Sequence, residues 1–162
     1  MTLMRLQFQA FGRHMRVSVL REMYSDPKTV VILIRDTTGR IYGNNFAHPS
    51  KRDSSTAYAA SIATDKRYRH GRLGWLMMRE LEEALVRRSY ERMDFDAVTV
   101  RGWADSLARW FDGYVIESFD HASPYGPQRY FCVRLPRPGE RRQTKRHRAS
   151  SDVGAQVATL PA

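Results

Sequence analysis

Residues 65–72 read DKRYRHGR, a polar and basic run, and they lead directly into a helical pattern. Leu73, Leu76, Met77, Leu81, Ala84 and Leu85 fall at helical intervals, while Glu80, Glu82, Glu83, Arg87 and Arg88 take the other faces. The spacing predicts an amphipathic helix ending near Arg88, with Glu83 and Arg87 as a favourable i,i+4 pair. The first turn of any helix carries backbone N–H groups without internal acceptors, and the helix dipole adds about half a positive charge there. A phosphate at that end is held by several N–H groups at once. Gly71 and Gly74 let the backbone approach closely, and Arg67, Arg69 and Arg72 add attraction and bidentate donors. The first acid, Glu80, comes only after the first turn. These residues in this order describe an anion-binding loop. The plain alternative is a surface loop of solvated arginines with Gly71 at a turn.

The rest of the chain supplies strands and helices around it. Phe8, Phe11, Met15, Val19 and Met23 have helical spacing, stopped by Asp26-Pro27. Thr29 to Ile34 is a β-branched run, and Asp36 to Gly39 turns it into a second strand over Arg40 to Phe46. His48 to Ser55 is a polar loop, and Thr56 to Thr64 a strand of small residues. Ala97 to Val100 reads as a short buried strand and Ala104 to Phe111 as a helix ending near Gly113. Tyr114 to Phe119 and Gln128 to Leu135 are strand-like, with turn residues over His121 to Pro127. The order predicts an α/β (α+β) fold with a mixed sheet. A dinucleotide-binding fingerprint and a P-loop are both missing from the sequence.

The 162 residues are enough for one domain with a real core, and 42% hydrophobic with 27% charged residues fits a soluble globular protein. Aromatic residues stop after Phe131, so residues 1–135 are read as the domain and 136–162 as a disordered basic tail. The net charge of +10 points to an anionic partner without naming it. With no apolar run near the roughly 18 residues that span a bilayer, no membrane association is expected. Arg5, Gln7 and Gln9 interrupt any signal-peptide core, so a cytoplasmic protein is expected. The single cysteine, Cys132, excludes an internal disulfide and a cysteine-based zinc cluster, and its strand-like neighbours predict an inert buried thiol. No metal site is expected.

Tyr68-Arg69-His70-Gly71-Arg72-Leu73-Gly74, a strand before it and a long helix after it, resembles the acetyl-CoA cradle of the GNAT acetyltransferase superfamily. Arg69 matches the first position of that family's loop motif and Gly74 the last, while Arg72 stands at the central glycine, with Gly71 one residue early. The resemblance covers about residues 29–135. It implies a central mixed, mostly antiparallel sheet flanked by helices, with acetyl-CoA as cofactor. It further implies cofactor contacts from Ile62, Ala63 and Thr64 on the strand, and from Arg67, Arg69, His70, Gly71, Arg72, Leu73, Gly74 and Trp75 on the loop and first turn. Ala97 to Val100 would be the next strand, whose splaying admits the cofactor, and the last two strands the hairpin that shapes the acceptor site.

Acetyl transfer to an amine needs a base for the ammonium proton and an acid near the leaving thiolate. At the position of the family's tyrosine stands Trp110-Phe111, so Tyr114 is the nearest phenol, with Tyr58 and Tyr125 behind it. Candidate bases are His121, Glu117 and Asp120 near the hairpin. Three readings stay open: an acetyl-CoA-dependent N-acetyltransferase acting on an amine of an unidentified acceptor; a catalytically degenerate member serving as a structural or binding component; and a nucleic-acid-binding domain using the basic tail. Oligomeric state leaves no mark in the sequence.

Overall fold

The computed structural model describes residues 25–68, 72–137, 140 and 156–159, together with positions 18 and 21. The helix expected over Phe8 to Met23 lies outside the described residues, apart from two isolated helical positions, Ser18 and Arg21. From Val30 the chain runs β1 (Val30–Arg35), β2 (Ile41–Pro49), β3 (Thr56–Thr64), α1 (Leu73–Arg87), β4 (Arg92–Val98), α2 (Trp103–Trp110), β5 (Val115–Ser123), β6 (Gly126–Arg134) and β7 (Gln156–Thr159). The strands form one sheet in the order β5-β6-β4-β3-β2-β1-β7. Only β3 and β4 are parallel, because α1 connects them; every other neighbour is antiparallel. The mixed, mostly antiparallel sheet flanked by helices is the architecture the sequence leads one to expect.

α1 buries Met77, Met78, Leu81, Ala84 and Leu85 against Val30, Ile32 and Ile34 of β1 and Ala47 of β2. Gly43 permits that approach, since a Cβ there would stand 2.8 Å from the Met77 sulfur and 3.3 Å from the Ala63 carbonyl. On β4, Met93, Phe95 and Ala97 point to the same side, where Phe95 packs on Phe131 and on Phe111 at the end of α2. Period-two alternation then places Asp94 and Asp96 on the opposite face.

Two expected elements differ. β4 begins at Arg92 and ends at Val98, whereas Val100 sits in a short 3₁₀ turn. The sequence Arg-Met-Asp-Phe-Asp-Ala alternates cleanly, but its charged half conceals a strand from a search for apolar runs. The β5–β6 turn is confined to Ser123–Gly126, so His121 and Ala122 belong to a strand rather than to a loop. Ser123 caps that turn by accepting the Tyr125 N–H and donating to the Gly126 carbonyl, with Gly126 at φ 97°. Further along, Gln156–Thr159 pairs antiparallel with Ile32–Arg35 of β1, where β1 would otherwise expose a row of backbone donors and acceptors. Glu140 is likewise bound, by the Arg134 guanidinium at 2.8 Å.

Candidate active site

The β3–β4 ladder lasts only three residues, Thr56 to Tyr58 against Arg92 to Asp94. Beyond it, Ala59 to Thr64 and Phe95 to Val98 have no pairing with each other, and the two strands leave a wedge between them. β3 also carries an extra residue, Ala60, between the pairs Phe46↔Ser61 and Ala47↔Ala59. A bulge of this kind frees backbone groups from the ladder. Ile62, Ala63 and Thr64 lie past it, still paired to β2 through Asn45, Asn44 and Gly43.

The first turn of α1 lies past the C-terminal end of β3. The first intrahelical bond runs from the Leu76 N–H to the Arg72 carbonyl, 3.0 Å, so the amides of Leu73, Gly74 and Trp75 precede it. Arg72 at the N-cap makes no side-chain cap bond, and no acid lies in the first turn. Among the described residues, a Cβ at Gly74 would meet only the Trp103 ring, at 3.9 Å. Trp75 stacks on Trp110 at 4.8 Å and contacts Trp103 at 5.2 Å, joining α1 to α2. The Trp110 indole donates to Glu82 at 2.8 Å. Arg69, His70 and Gly71 lie outside the described residues. Arg67 binds Asp65 through Nε at 3.2 Å and through Nη2, and this partner holds the buried Asp65 carboxyl at about 2. Arg67 therefore anchors the start of the loop, while Arg72 is exposed at the helix end.

Where the ladder stops, on the face away from α1, three side chains meet. The Tyr58 hydroxyl donates to Asp96 Oδ2 at 2.7 Å, and His121 Nε2 lies 2.7 Å from Asp96 Oδ1. The Asp96 carboxylate raises the His121 pKa above its ordinary value, and burial with the Asp96 bond raises Tyr58 well beyond the phenol range. His121 Nδ1 also stands 3.2 Å from the Ala122 carbonyl. Both contacts are hydrogen bonds only for the imidazolium; in the neutral ring Nε2–H serves Asp96 and Nδ1 keeps a lone pair.

The other expected groups fall elsewhere. Glu117 shares this face but pairs with Arg52 at 3.0 Å, and the same guanidinium nitrogen donates to the Tyr130 hydroxyl at 2.9 Å. Tyr114 is not brought to His121: its hydroxyl donates to Glu140, Arg134 lies over its ring at 4.6 Å, and its backbone bonds Arg134, opposite Arg92 at the paired end of β4. Asp120 binds Arg129, which also reaches Asp105 of α2, on the helix-bearing face. Cys132 is buried, and that burial with the Asp94 contact pushes its thiol up to about 11, the inert behaviour expected of it. Among the described residues no His, Cys, Asp and Glu cluster is suited to a metal ion. Asp96 is the participant that a reading of apolar runs passes over; the alternation of residues 92–97 is the signal that finds it.

No model of a known protein family matches the sequence, and no curated protein matches it either. Solved structures match in three dimensions. A GNAT family acetyltransferase from Elizabethkingia anophelis with acetyl-CoA bound superposes with a TM-score of 0.59 at 9% identity, over 83% of this chain and 92% of that one. The fold is that of the GNAT acetyltransferases. The ribosomal-protein-S18-alanine N-acetyltransferase from Escherichia coli shares it at a TM-score of 0.63 and 11% identity, covering 82% of this chain and 84% of the other. Ard1 from Thermoplasma volcanium does so at 0.61 and 12%, covering 82% and 88%. At such identities the likeness is one of GNAT fold, and chemistry has to be argued from this chain's own residues. Among the described residues no helix is long and apolar enough to cross a membrane.

Proposed function

We propose that this chain is an acetyl-CoA-dependent N-acetyltransferase in which His121 accepts the proton of the acceptor's ammonium. The observation that carries the reading is the Tyr58–Asp96–His121 group, joined by two 2.7 Å hydrogen bonds at the point where the β3–β4 ladder ends. The residues present fit the cofactor: uncapped amides at Leu73, Gly74 and Trp75, open space at Gly74, and a wedge between β3 and β4. Those amides would hold its phosphates with help from Arg72, and the resemblance adds Arg69, His70 and Gly71. Ile62, Ala63 and Thr64 would line its arm. When bound, acetyl-CoA supplies an acetyl group activated as a thioester.

The protein's share of the chemistry is positioning and proton handling. Neutral His121 donates Nε2–H to Asp96 and takes the ammonium proton on Nδ1; Asp96 stabilises the imidazolium that results. Tyr58, kept protonated by burial and by Asp96, is the phenol available at the wedge, the part that the sequence reading gave first to Tyr114.

Calorimetry on the full chain with acetyl-CoA at low salt tests the reading. Binding is expected, retained in Gly74→Ala and lost in Gly74→Glu, whose carboxylate would sit among the first-turn amides. His121→Gln is expected to keep binding but lower turnover on an amine panel about 10²–10⁴-fold. Absence of binding by the unaltered chain defeats the proposal, and binding without turnover turns it into the degenerate, structural reading. The nucleic-acid reading requires instead an affinity that falls steeply with salt and survives Gly74→Glu.

A further inference from the structure

Along β5, Glu117, Phe119 and His121 occupy alternate positions opposite Cys132, Tyr130 and Gln128, so the three share one face. That is the face of Asp94 and Asp96 on β4 and of Tyr58 on β3. Phe119 stacks on Tyr130 with centroids 4.9 Å apart, lies 6.1 Å from the His121 ring, and is 51% exposed. A phenylalanine half open to water beside a histidine–carboxylate pair is an apolar platform next to a proton acceptor. The carboxylates of Asp94, Asp96 and Glu117 lie on this face; Arg52 pairs with Glu117, and Arg92 and Arg134 take the same face at the paired end of β4 and β6, in a chain whose net charge is +10.

We infer that the acceptor is a small primary amine bearing an aromatic or apolar body: the body packs on Phe119 and Tyr130, and the ammonium lies between Glu117 and His121. The inference rests on the acetyltransferase reading and names its substrate class. The Asp96 carboxylate beside His121, at the end of the face away from Arg92 and Arg134, favours one ammonium, while the charge of the whole chain opposes a polycation. An aromatic ring on Phe119 needs no backbone partner and keeps a two- or three-carbon amine over His121.

Calorimetry on the full chain with 2-phenylethylamine, ethylamine, spermidine and a tetrapeptide with a free N-terminus separates these classes. 2-Phenylethylamine is expected to bind at least about tenfold more tightly than ethylamine. In Phe119→Ala that preference should shrink to about threefold or less, because one face of the platform is removed. Glu117→Gln should weaken both monoamines together, since it acts on the ammonium. Equal binding of the two monoamines, a preference that persists in Phe119→Ala, or tighter binding of spermidine or the peptide would overturn the inference. Acetyl-CoA binding by the unaltered chain is read separately: its failure removes the acetyltransferase reading, whereas its success without an aromatic preference removes only this one.

Discussion

Asp96 has two carboxylate oxygens and a donor on each, Tyr58 on one and His121 on the other. In the proposed role, the charge that holds His121 would also decide when it can accept a proton. Its raised pKa means that the imidazolium persists above the usual value of about 6.5, and a base must first lose that proton. The kcat/KM of acetyl transfer is therefore expected to rise with pH through an inflection above 6.5, and Asp96→Asn should move the inflection down; a pH–rate profile of the two proteins checks this. The linked effect on stability has the opposite sense. A folded-state pKa above the unfolded value contributes stability below about pH 6.5 and loses it as pH rises through the folded value. A second residue in the sheet is less well served. Asn45 is buried beneath α1, and among the described residues neither its Oδ1 nor its Nδ2 has a hydrogen-bond partner. Asn45→Val should raise the unfolding free energy by about 1–2 kcal/mol, measured by urea denaturation, because an amide left unpaired in an apolar layer costs about that much.

Among the elements, α1 was the most legible in the sequence, since helical spacing, flanking arginines and the delayed first acid are all local features. Its end holds a feature that spacing does not disclose. Ser89 follows the last turn with φ 63°, and the Ser89 and Tyr90 amides close onto Val86 and Leu85 at 3.0 and 3.1 Å. Glycine takes this left-handed geometry without the steric cost that a Cβ brings. Ser89→Gly is expected to stabilise the protein by about 1 kcal/mol, visible as a higher urea midpoint with the slope unchanged. β4 was half legible: Ala97 and Val98 were found as a strand, whereas Arg92 to Asp96 were missed because the alternation carries charge on one side. The hairpin was found but placed too loosely, since Ser123 and Gly126 tighten a turn that composition alone spreads over seven residues.

At the scale of the molecule, the sheet ends in two different ways. β5 stands at one edge, while at the other β7 covers β1. β1 is apolar, Val-Val-Ile-Leu-Ile, and an uncovered apolar edge strand templates pairing with further chains. Deleting residues 156–162 should therefore leave the fold intact but make the protein associate with increasing concentration, which light scattering during size-exclusion chromatography would detect.

The sequence by itself determined the helix that opens at Leu73, the succession of strands and helices from β1 onward, and the mixed sheet that this succession implies. All of these are carried by periodicity, punctuation and residue type within a dozen positions. Only the tertiary structure decided which of the polar residues meet. Asp96 and His121 lie 25 residues apart, and Tyr58 and Asp96 lie 38 apart. Their meeting depends on the order β5-β6-β4-β3, on the registers within it, and on a parallel ladder that stops after three residues. Tyr114 and His121 look equivalent in the sequence, two polar aromatics beside one hairpin. The register sends Tyr114 to Arg134 and Glu140 at the closed end of the wedge and His121 to Asp96 where it opens. A shift of one residue in β5 would have reversed the face of each.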